Sequence, residues 1–407
     1  MKILTVFGTR PEAIKMAPLV KALAGRRDIE SVVCVTGQHQ QMLQQVLDLF
    51  DIVPQYDLEL MTQNQTLNGL STRLLTAFDS VIEAVRPDRI LVHGDTTSAM
   101  VSALAGFHRR IPVGHVEAGL RTGDLSQPWP EEMNRRTIDV CADLLFAPTE
   151  SSANNLRAEN LGGRIVVTGN TVIDALLQTT GRILADPAFR ARLDAGFPYL
   201  REDRKLLLVT GHRRENFGAG FANICEALAQ LARRKDIQIV YPVHLNPNVQ
   251  GPVLKKLSGL PNVHLIPPLD YALFVRLMQR AHVILTDSGG VQEEAPSLGK
   301  PVLVMRNVTE RPEAVQAGTV RLVGTDVATI VDSVSFLYDN DDAWRAFSQH
   351  MNPYGDGQAS HRIVAALCGD AVSEFQCDHR AAQLIAVDAT ALIGHGQPAA
   401  SRAANAV

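Results

Sequence analysis

The sequence predicts an α/β protein of two doubly wound domains facing a central cleft. Two observations carry that prediction. Apolar runs of strand length alternate with helical periodicity along nearly the whole chain, the pattern of parallel sheets covered on both faces. At 407 residues, 46% hydrophobic but only 5% aromatic, the chain has the length for two cores and the aliphatic profile of a soluble α/β protein.

The first domain is expected over residues 1–170, with strands at Ile3–Phe7, Ser31–Val35, Arg89–Val92, Pro112–Val116, Leu144–Phe146 and Arg164–Val167. Helices are expected at Glu12–Ala24, Gln40–Leu49, Leu67–Val85, Ser98–Arg109 and Glu131–Ala142. Pro11 sits near a helix entry, where its missing N–H costs nothing, and Gly25 ends that helix. The second domain is expected over residues 171–356, opening with helical and then polar, proline-containing sequence to Leu200. Its strands are read at Lys205–Thr210, Ile237–Pro242, Val263–Ile266, Val283–Thr286 and Val302–Met305. Helices are read at Phe221–Arg233, Asn248–Ser258, Tyr271–Arg280, Val291–Leu298, Arg311–Ala317 and Val327–Tyr338. A Gly-rich turn then leads to a last helix over 357–368, expected to cross back onto the first domain. Residues 372–407, Ala-rich and without alternation, read as a weakly ordered tail carrying no chemistry.

A net charge of −4, spread evenly, offers no basic stripe for nucleic acid and no polybasic membrane patch. Five scattered cysteines without a CxxC pair suit reduced thiols and a cytoplasmic chain, and neither a disulfide scaffold nor a zinc site. The N-terminal apolar run stops at Gly8, too short for a signal peptide, and no run approaches the roughly 18 apolar residues of a membrane helix.

Unusual polar residues collect in six loops: GTRPEAIK, HGDTTS, HVEAGLRTGD, GHRRENFG, PVHLNP and DSGG. Each follows a predicted strand, on the edge where such sheets bind ligands. Gly289 and Gly290 open a helix, so bare backbone amides face outward and suit a phosphate. A plain N-cap by Ser288 would use one glycine and leave the second unexplained. Glu294 follows one turn later, where it suits the vicinal diol of a ribose. Arg10 and Lys15, cations at a helix entry, call for an anion to offset the dipole, and a diphosphate across the cleft would supply it. Asp95 could cap the next helix, and Glu131 could simply favour its own helix N-terminus. Glu117 has no capping role, so chemistry or a pair with Arg121 is needed to explain it. His93, His115, His212 and His244 all stand at strand ends, without an HxxxH or HxH metal spacing. No GxGxxG turn follows the first strand, which argues against a nicotinamide cofactor, and Walker A and GxSxG are absent.

Taken together, GTRPEAIKMAPL, TGQH, HGDTTS, HVEAGLRT, PEEMNR, GHRRENFG, TDSGGVQEEAPSLGKPVLVMR and TERPEAV resemble the non-hydrolysing UDP-N-acetylglucosamine 2-epimerases, over about Met1 to Leu367. The resemblance implies two Rossmann-like domains of the glycosyltransferase-B kind and a homodimer. It also implies interconversion of UDP-N-acetylglucosamine and UDP-N-acetylmannosamine without metal or other cofactor. UDP would be eliminated to leave 2-acetamidoglucal and then added back. Carried over residue by residue, Asp95, Glu117 and Glu131 match the acid/base carboxylates and His212 the phosphate-side histidine. Arg10 and Lys15 match positions facing the diphosphate; Ser288, Gly289 and Gly290 match the phosphate turn, and Glu294 the ribose acid. Phe274 and Arg311 match other nucleotide contacts. Leu269 stands where close relatives have glutamine, so only a backbone contact to uracil would survive there. Gln38, His39, Gln41 and Gln65 keep the pattern of a second, activating substrate site, but Asn64 replaces its arginine. The rivals are a hydrolysing epimerase, a glycosyltransferase on the same architecture and a non-catalytic nucleotide-sugar sensor.

Overall fold

The computed structural model describes residues 1–377 except 38–39, 61, 63–64 and 349–350 and the side chains of 40 and 41. Its first sheet comprises β1 (Lys2–Phe7), β2 (Glu30–Val35), β3 (Tyr56–Asp57), β4 (Arg89–His93), β5 (Val113–Val116), β6 (Leu144–Ala147) and β7 (Arg164–Val167), in the order β3-β2-β1-β4-β5-β6-β7. The second comprises β8 (Lys205–Thr210), β9 (Ile237–Pro242), β10 (Val263–Ile266), β11 (Ala281–Thr286), β12 (Val302–Val304) and β13 (Val320–Leu322), in the order β10-β9-β8-β11-β12-β13. Neighbouring strands run parallel in both sheets. The winding direction reverses between β1 and β4 in one sheet and between β8 and β11 in the other. At such switch points the strand-end loops diverge and leave a crevice.

Strand sequences are mostly apolar because helices cover both faces. On β1, Ile3 and Phe7 join one core while Leu4 and Val6 join the opposite one; on β8, Leu206 and Leu208 oppose Leu207 and Val209 in the same way. Burying each such side chain contributes on the order of 1.5–3 kcal/mol. Helix entries are set by Thr9, Thr66, Thr96, Thr149, Asn170, Asp270 and Asp326, whose side chains accept a backbone N–H of the first turn.

The long helix Thr171–Ala185 packs on helix Arg10–Ala24 of the first domain and on Tyr271–Arg280 and Gly289–Glu294 of the second. Residues 171–200 therefore hold two helices, split where Asp186 ends the first and caps Pro187–Asp194 through the N–H of Phe189. The last helix, Ala359–Cys368, lies against Arg10–Ala24 and is capped from a distance by Asp174, which accepts the N–H groups of Ala359 and Ser360.

Several elements depart from the sequence reading. Strands β3 and β13 are two and three residues long, too short to show a period. Helices Glu150–Ala158 and Asp341–Ser348 lie in polar sequence without a strong apolar signal. Residues 372–377, counted above with the tail, lie on the first domain. The Phe375 N–H donates to Val167 O at 2.9 Å, its ring is buried, and Arg362 stands over it. One aromatic residue in an Ala-rich stretch suffices to anchor this strap; residues 378–407 lie outside the described residues. No helix among the described residues is long and apolar enough to cross a membrane.

Candidate active site

The β1 loop is held by a residue the sequence reading passed over. Glu12 is buried and accepts the N–H of Gly8 (3.0 Å), the N–H of Thr9 (2.7 Å) and the hydroxyl of Thr96 (2.7 Å), which ties the loops after β1 and β4 together. Arg10, next to this anchor, reaches across the cleft and donates to Leu269 O at 2.9 Å. Leu269 is packed partly into the core, as is Phe274 on the following helix.

Glu117 follows β5 with φ of 68°, a left-handed conformation that costs a non-glycine residue about 1–2 kcal/mol. Its carboxylate pairs with Lys15, accepts the Asn170 amide at 3.0 Å and stands 3.5 Å from His93 Nε2. Burial alone would raise its pKa, but Lys15 and His93 prevail and hold it well below the usual carboxylate range. Arg121 is not its partner: that guanidinium binds Asp139 and Glu159. The anion opposite Lys15 is therefore supplied by the protein itself.

Asp95 follows β4, next to β5 in the sheet. It does not cap the next helix; Thr96 does. Its carboxylate pairs with Arg135, and its carbonyl accepts the Asn134 amide at 2.9 Å. Both partners lie on helix Glu131–Cys141, whose first residue is Glu131. Arg135 is four residues from Glu131, on the same face of that helix. Glu131 Oε2 is buried and has no hydrogen-bond partner among the described residues. Glu132 is occupied differently: it accepts the N–H groups of Thr122 (3.1 Å) and Gly123 (3.2 Å) and pairs with Arg135 and Arg136. Adjacent glutamates thus part roles, one unpartnered and one bracing a loop.

In the second domain Asp287 is the corresponding anchor. Fully buried, it accepts the N–H of His212 (2.9 Å) and of Arg213 (2.9 Å) and the Asn216 amide (3.2 Å), locking the β8 loop to the β11 loop. The His212 ring stacks on His244; burial, with His244 adding, lowers its pKa against the pull of Asp287. The Ser288 side chain caps nothing in the helix Gly289–Glu294. Neither Gly289 nor Gly290 has positive φ, and a Cβ built on either meets nothing nearer than 3.6 Å. The fold does not need these glycines. The neighbours of that space at Gly289 are the guanidinium groups of Arg213 (3.6 Å) and Arg311 (3.7 Å), an anion-binding surround. Glu294 accepts the Tyr271 hydroxyl at 2.7 Å, and burial pushes its pKa up to about 7.

The family model for UDP-N-acetylglucosamine 2-epimerase matches residues 21–368. The chain belongs to this family. A UDP-N-acetylglucosamine 2-epimerase of Escherichia coli K12 is 57% identical over 375 residues, 92% of this chain and 100% of that one. A probable UDP-N-acetylglucosamine 2-epimerase of Ralstonia nicotianae is 58% identical over 368 residues, 90% of this chain and 98% of that one. The crystal structure of the Neisseria meningitidis UDP-GlcNAc 2-epimerase bound to UDP-GlcNAc matches with a TM-score of 0.84 at 49% identity, covering 91% of this chain and 100% of that chain. The two-sheet architecture is accordingly the glycosyltransferase-B-like one of these epimerases.

In this epimerase-family chain the two sets of loops meet. Asn170 donates to Glu117 and, at 3.3 Å, to Glu293, which is buried and pairs with Arg311. Lys15, Glu117, Asn170, Glu293 and Arg311 form one row across both domains. Asn170 and Glu293 in this row, and the anchors Asp287 and Glu12, were not singled out from the sequence; the EE pair, the DSGG loop and the Thr9-x-x-Glu12 capping pattern were the signals available for three of them. Gln38, His39, the Gln41 side chain and Asn64 lie outside the described residues. Gln65 Oε1 accepts from Arg73 at 2.6 Å. Among the described residues no group of three His, Cys, Asp or Glu side chains is arranged to hold a metal ion.

Proposed function

We propose that the chain interconverts UDP-N-acetylglucosamine and UDP-N-acetylmannosamine by eliminating UDP and adding it back, without releasing the free sugar. The observation that carries this reading is the glycine pair. Neither Gly289 nor Gly290 is required by the backbone, Gly289 lies beside Arg213 and Arg311, and the row of charges through Asn170 joins Arg311 to Glu117. A nucleotide diphosphate suits the first part and proton chemistry on its sugar suits the second.

In this reading the ribose hydroxyls lie on Glu294, the diphosphate lies on the Gly289–Gly290 amides, and Arg10, Arg311 and His212 carry its charge while Lys15 stays with Glu117. The sugar then extends toward Asp95, Glu117 and Glu131. One carboxylate removes the proton at carbon 2, and the electron pair forms the carbon 1–carbon 2 double bond as the anomeric C–O bond breaks and UDP departs with its electrons. The product is 2-acetamidoglucal. Re-addition of UDP at carbon 1, with a proton delivered to the opposite face of carbon 2, completes epimerisation. Cations held at the departing diphosphate act where charge develops, and a single preorganised donor of this kind is typically worth about 2.7–4 kcal/mol. The Neisseria meningitidis epimerase structure and the E. coli relative support the reaction class. We further infer a cytoplasmic homodimer whose product supplies N-acetylmannosamine-type sugars for bacterial surface polysaccharide.

Incubation with UDP-N-acetylglucosamine in deuterated water tests the reading. UDP-N-acetylmannosamine carrying deuterium at carbon 2 is the expected product. Free N-acetylmannosamine with stoichiometric UDP would instead establish the hydrolysing reaction, and product without deuterium would exclude elimination through carbon 2.

A further inference from the structure

We propose that Asn170 is a positioning residue: its side-chain amide donates to Glu117 of the first domain and Glu293 of the second, and so holds the Glu117 carboxylate in its working orientation. The inference rests on the epimerase reading and adds to it a residue that acts through Glu117.

The geometry leaves the amide one orientation. Asn170 Oδ1 accepts the N–H of Val172 at 3.1 Å, capping helix Thr171–Ala185, and its backbone N–H donates to Tyr354 O at 2.7 Å. The two hydrogens on Nδ2 are therefore turned to the carboxylates, at 3.0 Å from Glu117 and 3.3 Å from Glu293. Asn170 is 4% exposed, so water does not share these bonds freely. Each carboxylate also holds a cation, Lys15 for Glu117 and Arg311 for Glu293, and a neutral two-hydrogen donor is the group that fits between two such anions.

The position in the chain matters as much as the chemistry. Asn170 lies where the chain leaves β7 for the helix that packs on both domains, and Tyr354 lies where the chain returns. There the two backbones approach so closely that a Cβ on Gly169 would stand 3.3 Å from Gly355 Cα. With its amide oriented by the Val172 cap and its backbone by Tyr354, Asn170 offers Glu117, which is itself strained at φ 68°, a fixed donor that sets the carboxylate's angle.

Asn170→Ser and Asn170→Asp separate this role from helix capping, because serine and aspartate both cap well while neither supplies the amide hydrogens. For the serine variant the expected result is a kcat about 100-fold lower, the scale on which misplacement of a reacting group is felt, with KM and UDP affinity within about threefold of wild type. The aspartate variant adds a pH readout. A carboxylate between Glu117 and Glu293, with Lys15, His93 and Arg311 facing the same row, has no hydrogen to give until it is protonated. Its kcat relative to wild type should therefore climb as pH falls. A serine variant with kcat within threefold of wild type, a parallel collapse of kcat and UDP affinity, or an aspartate-to-wild-type ratio flat with pH would each overturn the positioning role. Failure of the wild type itself to exchange deuterium at carbon 2 would instead overturn the epimerase reading.

Discussion

Glu117 and Glu294 are both largely buried glutamates at the binding edge of a parallel sheet, one in each domain, yet their proton affinities move in opposite directions. Burial pushes each toward the neutral form. At Glu117 the paired Lys15, with His93 behind it, overcomes burial and keeps the carboxyl far below its ordinary 4.5. At Glu294 burial prevails; the nearest partner is an uncharged tyrosine hydroxyl, Glu293 repels, and the carboxyl rises to about 7. What separates the two is the charge of the group in contact, since depth is shared. The first domain keeps its carboxyl ionised, and the second keeps one whose charge changes near neutral pH.

The sharpest way to break this comparison is to neutralise each acid. Glu117→Gln should lower turnover by about 100-fold to 10,000-fold while leaving UDP affinity near normal. Glu294→Gln should act mainly on affinity, because its proposed partner is distant from the reacting carbon. Steady-state kinetics with calorimetric UDP titration separates the two, and wild-type turnover in Glu117→Gln would remove that residue from the chemistry.

Lys15 offers the next largest effect. Lys15→Met leaves Glu117 buried without its cation, and breaking a buried pair in this way costs about 3–5 kcal/mol. The pair's contribution is present above the ordinary carboxyl value of 4.5 and lost as pH falls through the depressed native value of Glu117. Urea denaturation at pH 7 of Lys15→Met, Glu117→Gln and the double variant should show the double variant recovering part of the loss. Strict additivity would mean that the pair is not coupled.

Glu294 predicts the opposite slope. The folded protein holds its proton up to about 7 whereas the unfolded chain releases it near 4.5, so folded stability declines as pH rises between those values. The total is on the order of 3 kcal/mol. Glu294→Gln should therefore be more stable than wild type at pH 8 and about equal to it at pH 4.5. Denaturation midpoints that run parallel at both pH values would contradict the raised carboxyl.

The smallest effect expected is at the glycine turn. A Cβ on Gly290 has no neighbour nearer than 3.9 Å, so Gly290→Val should fold. Losing one charge-assisted bond of about 1.5–3 kcal/mol would weaken UDP binding by about 10-fold to 150-fold. Unchanged UDP affinity in the folded variant would retire the phosphate cradle.

Most of the architecture was legible in the residues because strands buried on both faces are rich in consecutive apolar residues, as in Leu206–Val209 of β8 and Ile239–Tyr241 of β9. Elements that escaped are those with weak periods: the two-residue β3, the three-residue β13 and the polar helix Glu150–Ala158. The candidate site was legible to the extent that chemistry leaves a local mark. Two glycines that cap nothing and acids standing at strand ends are visible without coordinates. Glu293 and Glu131 show the limit of that kind of reading. Each stands beside another glutamate, and only the partners reveal that Glu293 faces Arg311 and Asn170 while Glu132, not Glu131, braces a loop.

By itself, then, the sequence determined which segments become strands and helices, and that the unusual polar groups lie on one edge of each sheet, because periodicity and turn chemistry are properties of neighbouring residues. Tertiary structure decided which charge meets which. Lys15 reaches Glu117 from the first helix, Arg121 is drawn to Asp139 and Glu159, and Asn170 joins Glu117 and Glu293, 53 and 123 residues away from it in the chain. The reason is physical: a buried ion's proton affinity is set by groups within a few ångströms in space, and chain separation has no bearing on that distance.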